Sequence, residues 1–398
     1  MIASIKPTKL PAGSALLPLF VTHWLERLLF LSVSIVWPLK LVVQGHLTTP
    51  QAGLFYFILF SLFRASPVLY AYLAKTVARE KIFLCGAVIE SCAFLGMIFI
   101  QSPLLLMALA IFAGIGGGAT SSMLLSFLEE VDKRAVSSGT TKSSHQVFNT
   151  HLLLINLAAV IAPLLAILAP AHYIASIMVL FAAFLFSARH IFRLTAGFDG
   201  GSGVEERKER AIDGKFLSEW LACLSVWAGC SVVYAILPSL DAHFLATEGV
   251  NFWLSFDAII VTLLFFAMKR YDLFSENTPT NALKGLAAIF IALLIFYSGT
   301  RYFPLLVVAI SLLSFGGYVA FGQLYGLAMA THFPARKTFY LSLLSMSGAI
   351  GEGGVQGLFW LTGSTQLTLF IVLLLVVAGM CPLLLLLLKG YKTRPVKP

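Results

Sequence analysis

Charge is scarce in this chain. Acidic and basic residues together make up 11% of the 398, against 59% hydrophobic residues, and water cannot solvate a globule of that composition. The motifs that carry reaction chemistry are missing as well. There is no His-Glu-x-x-His, no Cys/His cluster and no carboxylate set at ligand spacing, so no metal site is expected. No Gly-rich loop ending in Lys-Ser/Thr occurs, which excludes ATP-driven transport within the chain, and no Gly-x-Ser-x-Gly elbow marks a hydrolase. Gly114-Ile115-Gly116-Gly117-Gly118-Ala119 looks like a dinucleotide fingerprint, but it sits inside an apolar stretch rather than after a strand and reads as close helix packing. Five cysteines (Cys85, Cys92, Cys223, Cys230 and Cys381) all lie in apolar stretches, form no Cys-x-x-Cys pair, and read as small packing residues. The net charge is +9, yet no segment is long enough to present the basic face of a nucleic-acid-binding domain. Neither an enzyme, a cofactor, a metal nor a nucleic-acid partner is therefore expected.

What the chain does have is long apolar runs, each of the length that crosses roughly 30 Å of hydrocarbon. They predict an all-α integral membrane protein with twelve transmembrane helices, at 15–43, 51–74, 82–100, 103–128, 144–168, 172–194, 216–240, 251–270, 281–300, 304–330, 340–362 and 366–389. All but four of the 27 basic residues fall in alternate gaps. They are Lys6 and Lys9; Lys75, Arg79 and Lys81; Lys133, Arg134 and Lys142; Arg189, Arg193, Arg207, Lys208, Arg210 and Lys215; Lys269, Arg270 and Lys284; Arg336 and Lys337; and Lys389, Lys392, Arg394 and Lys397. Cationic loops stay in the cytoplasm, so both termini are expected there. The opposite gaps hold Lys40 and Arg301, and Arg27 and Arg64 lie inside spans. The first span is too long for a signal peptide and lacks a small-residue cleavage site.

The one break in composition is TAGFDGGSGVEERKERAIDGK at 195–215, Gly-rich and then densely charged, which reads as a flexible cytoplasmic linker. It divides the chain into a cytoplasmic tail (1–14), a six-helix bundle (15–194), the linker, a second six-helix bundle (216–389) and a second cytoplasmic tail (390–398). The halves echo each other. Ile35-Val36-Trp37-Pro38 closes the first span and Ala235-Ile236-Leu237-Pro238 the seventh; Gly114, Gly116, Gly117 and Gly118 of the fourth span correspond in depth to Gly316 and Gly317 of the tenth. Basic pairs follow both, Lys133-Arg134 and Arg336-Lys337. Two parallel six-helix repeats are indicated, with a binding site at the midplane between them.

With these features the chain resembles the major facilitator superfamily of secondary transporters, from about residue 15 to 390, on architecture more than motif. The family's loop Gly-x-Leu-Ala-Asp-Arg-x-Gly-Arg-Lys, between its second and third helices, aligns with Ala71-Tyr72-Leu73-Ala74-Lys75-Thr76-Val77-Ala78-Arg79-Glu80, where Leu73, Ala74 and Arg79 match and Lys75 replaces the Asp. The Gly-Pro motif of family drug antiporters is present only as Ala162-Pro163, with Ala158 and Ala166 nearby. The resemblance implies alternating access, a first helix lining the cavity, a cytoplasmic gate loop containing Lys75 and Arg79, and the proton gradient as energy source. A monomer in the inner (cytoplasmic) membrane of a bacterium is expected.

An ionised group at mid-depth in a bilayer needs a partner, a hydrated cavity or neutralisation. His23-Trp24-Leu25-Glu26-Arg27 lies near the middle of the first span and Arg64 at similar depth in the second. Adjacent helical residues diverge by about 100°, so one of Glu26 and Arg27 is expected to face the cavity and the other a neighbouring helix. A structural ion pair, for instance Glu26 with Arg64, is the alternative. In the eleventh span Ser342, Ser345, Glu352 and Gln356 fall on one helical stripe, with Gly351, Gly353 and Gly354 around the carboxyl. Glu352 is the first candidate for a proton-coupling acid and Glu26 the second, a fixed hydrogen bond from Glu352 being the alternative. Substrate-binding candidates are Arg27, Arg64, Trp24, Asn149, Asn156, Gln323, Tyr325 and Gln356. His145, Asn149 and Asn156 share a face of the fifth span, His151 lies elsewhere, and the amides suit either a substrate or a neighbouring helix. Glu90 is assigned a structural role, paired with Arg79 or an adjacent helix. Glu219 caps the seventh span, Asp257 either faces the cavity or, as its depth suggests, reaches toward the outer surface, and Asp241 and Glu248 are solvated loop residues. Together these predict a proton-coupled secondary transporter of a small anionic or zwitterionic solute, of metabolite or siderophore type. One alternative is a drug or metabolite exporter using Trp24, Trp227, Tyr234 and Tyr325 with Glu26 as counter-charge. The other is a non-transporting membrane sensor or assembly protein.

Overall fold

A computed structural model of the chain describes residues 12–137, 145–165, 168, 170–196, 214–236, 247–271, 278–299, 302–331 and 337–388. Outside the described residues or side chains fall most of the expected tails and linker, the side chains of His145, Asn149, His151 and Tyr234, and Asp241 and Glu248. So do Lys6, Lys9, Lys133, Arg134, Lys142, Arg207, Lys208, Arg210, Lys269, Arg301, Arg336, Lys337, Lys389, Lys392, Arg394 and Lys397. Every described element is helical. The first half comprises α1 (Ala12–Phe30), a π-helical turn (Leu31–Val36), α2 (Trp37–Val43), α3 (Thr49–Leu73), α4 (Arg79–Phe99), α5 (Pro103–Ser137), α6 (His145–Leu165) and α7 (Pro170–Thr195). The second comprises α8 (Gly214–Ile236), α9 (Thr247–Tyr271), α10 (Pro279–Tyr297), α11 (Phe303–Thr331), α12 (Lys337–Gly348), a second π turn (Ala349–Gly353), α13 (Gly354–Thr362) and α14 (Thr365–Leu388). Among the described residues nine helices are long and apolar enough to cross a bilayer, and Leu153–Leu165 and Trp253–Met268 are shorter apolar helices.

The ends of the helices follow their sequences. Thr48 and Gln51 form a reciprocal capping box ahead of α3, each taking a hydrogen bond from the other's backbone N–H, with Pro50 in the first turn. Gly363, at φ +59°, closes α13 in the left-handed conformation that glycine adopts without strain. The helices expected at 15–43 and 340–362 each run on through a π turn, with helical backbone on both sides of it. Such a turn disturbs the regular backbone ladder, and hydroxyls from neighbouring helices bind carbonyls within it. Tyr173 Oη donates to Ser32 O at 2.6 Å, Tyr56 Oη to Ile35 O at 2.7 Å, and Ser61 Oγ to Ala349 O at 3.3 Å.

Small residues bring backbones together where apolar packing alone gives little preference between helices and lipid. A Cβ added to Gly86 would lie 2.6 Å from the Ala119 Cβ, and one on Gly116 would lie 2.6 Å from the Glu90 amide nitrogen, so α4 and α5 touch along their main chains. The second half repeats the seam between α10 and α11: a Cβ on Gly285 would meet Ala320 N at 2.7 Å, and one on Gly316 would meet Ile289 N at 2.9 Å. The halves meet along two lines, α3 against α12, the second π turn and α13, and α6 against α9. On the second line Ser255 Oγ donates to Val160 O at 3.2 Å.

Candidate functional site

Two ion pairs, one buried and one partly buried, each place an arginine against the Phe63 ring. The first is local. Arg27 Nε and Nη2 donate to the two Glu26 carboxylate oxygens at 2.6 and 2.8 Å, a fork-to-fork contact between adjacent residues. Glu26 therefore does not diverge from Arg27; it forms the intramembrane ion pair of the alternative reading, with Arg27 rather than Arg64 as its partner. The two Cβ atoms do diverge, but the arginine stem is long enough to return its planar end to the neighbouring carboxylate. Glu26 is 1% exposed and Arg27 8%. His23 Nδ1, one turn earlier, lies 3.7 Å from Glu26 Oε2, and the Arg27 guanidinium rests over the rings of Phe30 at 5.3 Å and Phe63 at 4.9 Å.

The second pair joins the halves. Arg64 Nε of α3 donates to Glu352 Oε2 at 2.9 Å across 288 residues. Its guanidinium stacks on Trp227 of α8 at 3.7 Å and borders the opposite cluster through Phe63 at 5.3 Å. The Arg64 side chain is 22% exposed. Among the described residues Nε is the one Arg64 group with a hydrogen-bond acceptor, which leaves the terminal nitrogens available to an anion. Trp227 packs at 4.2 Å on Phe321, and Phe321 meets Tyr325 edge-on at 6.4 Å. Glycines make this junction possible. A Cβ on Gly348 would lie 3.2 Å from both Arg64 and Trp227, one on Gly353 would collide with Ser61 Oγ, and one on Gly357 would lie 2.9 Å from Phe57.

The remaining candidates divide. On the second π turn and α13, which pack against both α3 and α8, Glu352 meets Arg64 of α3, whereas Gln356 Nε2 donates to Ser231 O of α8 at 2.8 Å and its Oε1 is buried without a hydrogen bond among the described residues. Gln323 Oε1 accepts from Thr278 N at 3.0 Å and fastens the start of α10. Trp24 and Asn156 are half-buried. Asn149 lies outside the described side chains. In the gate loop Arg79 donates to Ser126 Oγ at 2.7 Å rather than reaching Glu90, and Lys75 lies over Tyr72 at 5.6 Å. Glu219, expected to cap the start of its span, is fully buried in the second turn of α8. Asp257 turns inward, where Ser314 Oγ hydrogen-bonds it; a polar Ser on a facing helix was the available signal. Lys40 also departs from its loop assignment, lying 4.4 Å over the buried Tyr173 ring. The described residues hold no group of three or more His, Cys, Asp or Glu placed to bind a metal.

No protein-family model matches this sequence, and no curated protein matches it significantly. Solved structures do. The human organic anion transporter MFSD10 (TETRAN) superposes with a TM-score of 0.69 at 15% identity, over 94% of this chain and 100% of that one. An auto-inhibited peptide transporter of the POT family gives 0.71 at 13% identity, over 97% and 99%. The nucleoside transporter NupG gives 0.67 at 12%, over 93% and 99%. At identities this low the likeness is one of fold, and it extends over nearly the whole length of each chain. This chain has the major facilitator superfamily fold, the architecture of these membrane transporters, and its long apolar helices are those of an integral membrane protein.

Proposed function

We propose that this chain is a proton-coupled secondary active transporter of a small anionic or zwitterionic organic solute, of metabolite or siderophore type, working by alternating access. The observation that carries the reading is the Arg64–Glu352 pair, which ties α3 of one half to the π turn of the other. A solute carboxylate binding the free Arg64 nitrogens competes with Glu352 for the cation. Glu352, once released, is an uncompensated carboxylate in a low-dielectric site, and taking up a proton relieves that cost. Solute and proton thus replace one ionic contact between the halves, and the halves can then rock apart. The neighbouring structures include a transporter described as carrying organic anions, and Arg64 fits such a solute. Twelve spans, cytoplasmic termini and a bacterial inner membrane complete the proposal, supported by the alternation of basic residues.

The aromatic group Trp227–Phe321–Tyr325 favours one rival, an exporter of lipophilic cations. Against it, the Trp227 face is already occupied by the Arg64 cation. Reconstitution decides among these readings. In liposomes bearing an inward proton gradient, candidate carboxylates should enter with protons. Glu352→Gln should abolish proton-driven uptake while solute exchange survives, and Arg64→Gln should lose both. Unaltered proton-driven uptake in Glu352→Gln overturns the coupling role, and transport of lipophilic cations alone favours the exporter. Inactivity toward every solute class in folded protein supports a non-transporting role.

A further inference from the structure

The first half contains a third acid that neither ion pair employs. Glu90 of α4 is 0% exposed, and neither carboxylate oxygen has a hydrogen-bond partner among the described residues. The nearby Thr120 hydroxyl is committed to the Gly116 carbonyl at 2.9 Å. The carboxyl is wedged against α5, where a Cβ on Gly117 would lie 2.9 Å from Glu90 Oε1 and 3.2 Å from the Phe63 ring. Arg27 rests on that same ring. One turn beyond Glu90, Phe94 packs edge-on at 6.0 Å against Phe30, which also carries Arg27. The charged groups acting on Glu90 are therefore Glu26 and Arg27 of α1, with His23 behind Glu26. From α5 it meets only Gly116, Gly117 and the Thr120 hydroxyl. No charge on α7 acts on it among the described residues.

Packing does not explain an acid here. In the repeated seam of the second half the corresponding backbone contact is made by Ile289, also fully buried, against Gly316 as Glu90 is against Gly116. An aliphatic side chain therefore serves this helix contact, and the first half carries a carboxyl in its place.

We propose that Glu90 is a second proton-binding site, sharing Arg27 with Glu26. In the conformation described here Arg27 is closed on Glu26 and Glu90 holds a proton, since an ionised carboxylate with no partner is strongly disfavoured in a buried site. When Arg27 turns to Glu90, the proton leaves Glu90 and Glu26 takes one up. Both arrangements contain one guanidinium, one carboxylate and one carboxylic acid, so the triad stays neutral and a proton changes sides. The motion lifts Arg27 relative to Phe63, the ring that also borders Arg64, so the proton's position is felt at the junction between the halves.

The test is infrared difference spectroscopy of the full-length protein in lipid nanodiscs at neutral pH, reading the carbonyl band of protonated carboxyl groups. It needs no transported solute, so it stands or falls independently of the transport reading. Wild type should show a buried protonated-carboxyl band that is lost in Glu90→Gln. Glu26→Gln should lose it too, because Arg27 is then free to ionise Glu90. Arg27→Gln should double it, since both acids lack a cation. Glu90→Gln copies the neutral acid and should fold like wild type, which keeps the experiment decisive if Arg27→Gln does not fold. A band unchanged in Glu90→Gln overturns the proton site, and a band lost in Glu90→Gln but kept in Glu26→Gln overturns the sharing of Arg27.

Discussion

Arg64 and Glu352 can be separated by substitution more informatively than any other pair in the molecule. Removing one member of a buried ion pair costs about 3–5 kcal/mol, because a desolvated charge is left behind. Arg64 is partly exposed, so Glu352→Gln and Arg64→Gln should each fall at or below the lower end of that range. The double variant should recover much of the loss. Thermal unfolding in detergent checks this, and additive losses would mean that the two side chains do not depend on one another. Arg27→Lys should lower stability and activity although charge is retained, since a lysine cannot make the two-pronged contact with Glu26. That these charges need partners was legible in the sequence, as an ionised group inside an apolar run is costly when alone. Their pairing was not. Arg64 and Glu352 are 288 residues apart, and the helical offset that separates Glu26 from Arg27 says nothing of how far a flexible side chain can fold back. The setting of Glu90 was not legible because it depends on Gly117 and Thr120 of α5 and Phe63 of α3, which no local pattern connects to it.

At the level of helices one segment serves two partners. Glu352, within the turn at Ala349–Gly353, meets α3, and Gln356, one turn later, meets α8, along a segment packed against both helices. No residue pattern announces such a turn beyond the cluster of glycines around it. Apolar length and the glycine-rich stretches, in contrast, could be read directly, because span length is set by bilayer thickness and close backbone approach needs small residues. Tyr56→Phe and Tyr173→Phe withdraw the hydroxyls bound to the first π turn, and each should cost about 1–3 kcal/mol, the penalty for weakening the satisfaction of a buried carbonyl. Chemical denaturation would show it, and two silent variants would make the hydroxyls dispensable. The glycines should divide by location. Gly316→Leu should prevent folding, because main-chain atoms of α10 stand in the way. Gly353→Leu should leave each half intact and push α3 from α13, lengthening the distance between spin labels placed on those two helices.

For the molecule as a whole, the superfamily architecture emerged from span count, charge alternation and internal echo, although the gate loop matches its family pattern at only a few positions. Orientation is open to direct measurement. In a cysteine-free background, a single cysteine within 195–215 should react with a membrane-impermeant maleimide only after the cytoplasmic face is exposed, and labelling in intact cells would reverse the topology. The stacking of Arg64 on Trp227 has a consequence of another kind. A cation resting on an indole perturbs its excited state, so the emission of Trp227 is tied to whether the two halves are joined. Opening of the junction should be visible in untagged protein as a fluorescence change that vanishes in Trp227→Phe, giving the molecule a built-in optical signal of its own working cycle.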